Sequence, residues 1–164
     1  MPRPKKRGEA HVELLLVCSS GGHLLQLNAL RRAWSGRSTL WVTFDKSDAR
    51  SLLADGPVTY AYGPTNRNIP NLLRNSLLAV RLIRRVRPLV VLTTGAGIAV
   101  PFAWVGRAFG ARVVYVESIT RIEDVSLTYR LVAPIANEIY VQWPELAGQH
   151  PEARYAGSVF SFRR

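Results

Sequence analysis

Acidic side chains are scarce in this chain: 11 Asp and Glu stand against 22 Lys and Arg, a net charge of +11 over 164 residues. An imbalance this large implies an anionic partner, whether nucleic acid, an anionic membrane surface or a phosphorylated substrate. Cysteine is nearly absent as well. The one thiol, Cys18, excludes an intramolecular disulfide and, set in an apolar run, reads as packing rather than as a nucleophile. Long apolar runs are also missing. No uninterrupted stretch approaches the roughly 18 residues a spanning helix needs, and the apolar segment behind the basic Met1–Arg7 is only Val12–Cys18. The expectation is a cytoplasmic protein whose membrane contact is peripheral. No Cys/His cluster has metal-ligand spacing, and no Ser–His–Asp or paired-carboxylate pattern stands out, so neither metal nor cofactor is expected.

What is present is the composition of a folded domain, 48% hydrophobic and 20% charged. The length suits one domain, expected over 12–164 behind a basic tail at 1–11. Short β-type runs alternate with helical patterns, the signature of a parallel sheet covered on both faces. Strands are expected at Val12–Cys18, Thr39–Phe44, Val58–Ala61, Leu89–Leu92, Arg112–Val116 and Ile139–Val141, with a short extended piece at Tyr155–Gly157. Helices are expected at Gly22–Ala33, Ser47–Leu53, Leu72–Arg87, Ile98–Phe109 and Ser126–Ala133, with a Pro/Asn/Gly-rich loop over Gly63–Asn71. The fold class is α/β, a Rossmann-like domain.

In such folds ligands bind where strands pass to helices at the carboxyl edge of the sheet. Two of these junctions are glycine-rich: Ser19-Ser20-Gly21-Gly22-His23 and Thr93-Thr94-Gly95-Ala96-Gly97. Glycines let a backbone approach a ligand, helix N-termini offer N–H groups, and hydroxyls add donors, so the pair suits a diphosphate. A dinucleotide fingerprint needs three glycines at fixed spacing, which Gly21-Gly22 does not supply, although Asp45 stands where a ribose-binding acid would. His23 closes the first turn at a positive dipole end, a setting that suits a general base for a sugar hydroxyl and equally a capping role. Glu117 ends the fifth strand, placed either to orient a substrate or the histidine, or to cap a loop. Aromatics are not interleaved with the arginines, so no nucleic-acid partner is expected.

The segment Leu15-Leu16-Val17-Cys18-Ser19-Ser20-Gly21-Gly22-His23-Leu24 resembles the first glycine loop of the lipid II-forming GlcNAc transferase. It is closer still to separate-subunit relatives: the membrane-anchoring subunit of the eukaryotic dolichol-linked chitobiose synthase and the PssD-type bacterial polysaccharide proteins. Asn68-Ile69-Pro70-Asn71, Arg87-Pro88, Thr94-Gly95-Ala96-Gly97 with Pro101, Arg112 to Ser118, and Tyr155-Ala156-Gly157 continue the resemblance in order, over about Val12 to Phe160.

The resemblance implies the acceptor-binding N-terminal half of an inverting GT-B hexosyltransferase. Its acceptor would be a sugar on a polyprenyl diphosphate, and the UDP-sugar would arrive through a donor-binding partner chain supplying the C-terminal half. It implies His23 and Glu117 as catalytic positions, and Gly21, Gly22, Gly95 and Gly97 as acceptor- or phosphate-binding ones, to which the hydroxyls of Ser19, Ser20 and Thr94 add donors. Little activity is expected without the partner. The eukaryotic subunit has an N-terminal membrane helix, where this chain has only the basic Met1–Arg7, so attachment to the inner face of the plasma membrane is expected from elsewhere. At 100° per residue Arg74, Leu78, Arg81 and Arg85 share one narrow face, with Leu77 at its edge, while Leu72, Ala79, Val80, Ile83 and Val86 face the core. Such a face suits an anionic membrane, and Trp104 on the next helix would extend it.

Overall fold

The computed structural model describes residues 12–160; the expected basic tail at 1–11 lies outside the described residues, as do 161–164. Six strands, β1 (Leu14–Val17), β2 (Thr39–Phe44), β3 (Val58–Ala61), β4 (Val90–Thr93), β5 (Arg112–Val116) and β6 (Glu138–Tyr140), form one sheet. Every pairing is parallel and the order is β3-β2-β1-β4-β5-β6. The chain therefore runs outward from β1 to β3, crosses back to β4, and runs outward again. β1 and β4 flank the point where the strand order reverses, the place where α/β sheets open a ligand crevice.

Residue alternation along the strands divides the core in two. Leu15, Val17, Val42 and Val91 point to one face, covered by α3 (Ile69–Val86) and α4 (Ala99–Ala108) through Ala79, Ile83 and Phe102. Leu14, Leu16, Trp41 and Leu92 point to the other, covered by α1 (Gly22–Ala29) and α2 (Ser47–Leu52). Burial on both faces is why these strands are almost unbroken apolar runs. A third cluster packs β5 and β6 against α5 (Leu127–Val132) and α6 (Pro144–Gln149) through Tyr115, Ile139, Tyr129 and Leu146. Gly106 lets α4 lie close on β4, since a Cβ there would come within 2.5 Å of Val91 Cγ2.

Several boundaries differ from expectation. The first helix ends at Ala29 and the chain turns through a 3₁₀ segment, Arg31–Trp34, which seats Trp34 edge-on against Trp41 at 6.2 Å. The third helix starts at Ile69 rather than Leu72. Asn68 accepts a bond from the Asn71 N–H as N-cap, and Pro70 sits in the first turn, where a missing N–H costs nothing. Residues whose composition suggests a loop are thus a helix start. Tyr155–Gly157 forms no strand; Arg154 bridges Tyr140 instead, and the unforeseen α6 precedes it. On α3, Leu72 is exposed while Asn71, Asn75 and Leu82 are buried, a departure whose meaning lies at the carboxyl edge.

Candidate functional site

Along that edge the loops following β3, β2, β1, β4 and β5 surround an open cleft of about 1540 Å³. His23, Asp45, Lys46, Arg67, Gly97 and Glu117 all line it.

The two glycine turns are tied to each other. His23 Nδ1 lies 2.7 Å from the Thr94 carbonyl oxygen, and the Thr94 hydroxyl donates to the His23 carbonyl at 2.8 Å. A carbonyl only accepts, so Nδ1 carries the proton in that bond. The neutral ring therefore keeps its lone pair on Nε2. This is the arrangement a general base needs, with tautomer and ring plane set by the neighbouring strand's loop. Gly95 makes the approach feasible: its φ is +100°, and a Cβ would meet the Tyr115 hydroxyl at 2.9 Å and His23 Cε1 at 3.6 Å.

Much of the donor capacity expected of these turns is already committed. The Gly21 N–H donates to Asp48 Oδ2 at 2.6 Å, and the Gly95 N–H to Thr93 Oγ1 at 3.0 Å. Thr94 is buried with its hydroxyl given to His23. Ser19 makes only a long 3.3 Å bond to the Ser20 carbonyl. Of the seven residues expected to hold phosphate, Ser19 and Gly97 line the cleft; Thr94 is buried, and Gly21 and Gly22 are exposed outside its lining.

Glu117 is 1% exposed, and both of its carboxylate oxygens are hydrogen-bonded. Its Oε1 accepts from the Ser118 N–H at 2.8 Å and the Tyr115 hydroxyl at 3.2 Å, and its Oε2 accepts from the Ser126 N–H at 2.8 Å. Both oxygens thus brace the loop between β5 and α5. Burial, with the Glu117 carboxylate beside it, pushes the Tyr115 phenol well above the ordinary tyrosine range. Gln26 on α1 adds to the brace, donating to the Glu117 carbonyl at 2.8 Å and accepting from the Ile119 N–H at 3.0 Å. Trp143 donates to the Ile119 carbonyl at 2.8 Å.

Asp45 pairs through both oxygens with Arg50, whose bond holds its carboxyl below the usual range, so it is engaged where a ribose hydroxyl would bind. Cys18 is fully buried, and burial pushes its thiol up to about 12.

The α3 surface departs from the expected basic face. Arg74 is exposed yet turned to its own domain, 5.9 Å over the Tyr62 ring and bonded to Asn71 Oδ1 at 3.3 Å. Leu78 is half-buried against the core. The exposed apolar residues are instead Ile69 (69%), Leu73 (61%) and Leu77 (57%), at successive spacings of four, and Arg81 and Arg85 continue the same row. Leu72 beside them, and Leu127 (71% exposed) and Leu131 on α5, line the cleft mouth. Trp104 stands exposed between the two helices, its indole N–H donating to the Leu131 carbonyl at 3.0 Å.

Residue-type reasoning had passed over Lys46, Arg67 and Arg121, the three cations of the cleft wall. Each follows a strand at the carboxyl edge, and that position is the signal that would have found them.

The family model described as "Oligosaccharide biosynthesis protein Alg14 like" matches residues 64–159. The UDP-N-acetylglucosamine transferase subunit ALG14 of Homo sapiens is 27% identical over 179 aligned positions, covering 90% of this chain and 83% of the relative. That of Eremothecium gossypii is 41% identical over 90 positions, 49% of this chain and 40% of the relative. Among solved structures, Acinetobacter baumannii MurG superposes with a TM-score of 0.72 at 17% identity, over 93% of this chain and 46% of that one. An S. aureus MnaA–UDP co-structure gives 0.71 at 12%, over 90% of this chain and 44% of that one. The chain spans less than half the length of these solved chains, and at such identities they speak to the fold, which is the Rossmann-like one expected.

Proposed function

The chain belongs to the Alg14-like oligosaccharide biosynthesis family, and from that premise we propose that it is the acceptor-side subunit of an inverting UDP-sugar glycosyltransferase. The donor is UDP-N-acetylglucosamine, bound on a partner chain that supplies the second GT-B lobe. The acceptor is a sugar on a polyprenyl diphosphate. One observation carries this reading: the cleft beneath His23 is open, cationic on its wall and apolar at its mouth, the profile of a ligand that joins a sugar, a diphosphate and a lipid. The dinucleotide and nucleic-acid alternatives do not fit the family.

In the reaction the acceptor hydroxyl attacks the anomeric carbon of the donor and forms the new C–O bond. The bond to UDP breaks on the opposite side, and UDP leaves with the electron pair. The hydroxyl proton passes to His23 Nε2, the ring nitrogen that the Thr94 carbonyl leaves unprotonated. Thr94 positions the base, and Glu117 holds the loop that walls the cleft.

No helix among the described residues is long and apolar enough to cross a membrane. The docking element is the row Ile69, Leu73, Leu77, Arg81 and Arg85, with Leu127 and Trp104: leucines enter the interface next to the cleft mouth while arginines meet lipid phosphates. On this reading the subunit docks peripherally on the cytoplasmic face of a membrane.

The test is reconstitution. The purified chain with its donor-binding partner is expected to transfer labelled GlcNAc from UDP-GlcNAc to a short polyprenyl-diphosphate acceptor, and neither chain alone to do so. Full transfer by the isolated chain, or none by the complex, would overturn the proposal. On anionic vesicles, Leu73→Glu/Leu77→Glu should abolish co-sedimentation while leaving partner pull-down intact.

A further inference from the structure

We propose that Arg67, on the loop that packs against the second glycine turn, contacts a substrate diphosphate in the cleft whose wall it shares with Lys46. The inference rests on the proposed function for its substrate class, and on four observations for its place.

The two cations follow neighbouring strands of the sheet. Phe44 and Ala61 are paired at the ends of β2 and β3; Lys46 follows two residues after the first and Arg67 six after the second. Both line the cleft, and neither makes an ion pair among the described residues. The carboxylates nearest in sequence are already engaged, Asp45 by Arg50 and Asp48 by the Gly21 N–H. Arg121, the third cation of the wall, follows β5.

Arg67 is held in a conformation that arginine does not favour. Its φ of 49° is left-handed, a region disfavoured for a residue with a side chain. The restraint is visible. Asn75 Nδ2 donates to the Tyr62 carbonyl and its Oδ1 accepts from the Tyr62 N–H, both at 2.9 Å, and Asn71 Nδ2 donates to the Pro64 carbonyl at 2.9 Å. These amides are buried on the core side of α3, where aliphatic residues would pack, and their bonds go to the loop that carries Arg67. Backbone strain kept by surrounding structure is characteristic of residues placed for a ligand.

The first glycine turn has one donor fewer for a diphosphate, because the Gly21 N–H is given to Asp48. A guanidinium fork meets two phosphate oxygens at once, which a single N–H does not. Finally, Ile69 and Leu72 follow two and five residues after Arg67 and line the same cleft. The cation thus stands on the border between polar and apolar walls, where the diphosphate of a lipid-linked sugar lies. That assigns the site to the acceptor's diphosphate rather than the donor's.

Affinities of the reconstituted complex for farnesyl-diphosphate-GlcNAc and for UDP-GlcNAc, measured by calorimetry, test this. Arg67→Gln should weaken the farnesyl ligand about 10–100-fold, the range for losing a charge-assisted bidentate contact, and Arg67→Lys should recover only part. UDP-GlcNAc affinity should not move. Arg67→Gly should bind as weakly as Arg67→Gln while melting at the wild-type temperature or about 2–4 °C above it, because glycine accepts the left-handed φ. Unchanged farnesyl-ligand affinity in Arg67→Gln overturns the site, and a loss confined to UDP-GlcNAc overturns its assignment to the acceptor. Either result in a complex that still transfers sugar leaves the proposed function standing; a wild-type complex that transfers none removes that function first.

Discussion

Glu117→Gln is nearly isosteric, yet the structure gives the amide no acceptable orientation. Oε1 accepts the Ser118 N–H and Oε2 the Ser126 N–H, each at 2.8 Å. Whichever oxygen becomes NH₂, a donor then faces a buried backbone donor. The substitution removes one hydrogen bond to a charged acceptor, about 1.5–3 kcal/mol, and leaves an N–H without a partner, about 1–3 kcal/mol. Relaxation of the loop recovers part of this, so a net loss of about 3 kcal/mol is expected, or a fall of roughly 6–12 °C in Tm for a domain of this size. Tyr115→Phe should lose less, about 1 kcal/mol, because its bonds to Glu117 (3.2 Å) and Ser126 (3.1 Å) are longer and involve no backbone donor. Urea unfolding followed by circular dichroism measures both. If Glu117→Gln unfolds within about 0.5 kcal/mol of wild type, the range of an ordinary surface substitution, while transfer by the complex collapses, then Glu117 acts on the substrate and not as the loop brace.

His23→Ala in the reconstituted complex should lower turnover by about 10²–10⁴-fold while costing only about 1 kcal/mol of stability, the bond to the Thr94 carbonyl. Turnover near wild type would reduce the residue to a loop tie. Gly106→Ala should destabilise by about 1–3 kcal/mol through overpacking, since its Cβ would come 2.5 Å from Val91 Cγ2; a neutral thermal melt would contradict that close approach. Cys18 should not react with a thiol reagent in the folded chain at pH 8 and should react at once in denaturant. Its folded value near 12 lies above the ordinary 9.0, so the neutral thiol's contribution is complete below about pH 9 and is lost as pH rises toward 12. Rapid labelling under native conditions would show the strand to be open.

The sequence by itself determined the layered fold and the edge of the sheet where ligands bind. Strands buried on both faces must be apolar, so Leu14–Val17, Thr39–Phe44, Val58–Ala61 and Arg112–Val116 stand out in a chain rich in arginine. Glycines at two strand ends marked the switch point: Gly21 and Gly95 both take a left-handed φ there, and at Gly95 a side chain would also meet Tyr115 and His23. Helix starts were less legible: Asn68-Ile69-Pro70 has the composition of a loop, and only the N-cap bond to Asn71 reveals the helix. What each polar group at the edge does was decided by tertiary structure alone. Thr94 and His23 are 71 positions apart, Gly21 and Asp48 27, and Gln26 and Glu117 91. No local periodicity encodes such pairs, because they come together only once the strand order is fixed. The same holds for α3, where the helical wheel gives a residue's angle but not what packs there. Asn71 and Asn75 are buried because the loop after β3 lies over them, and that loop leaves Leu73 and Leu77 facing out.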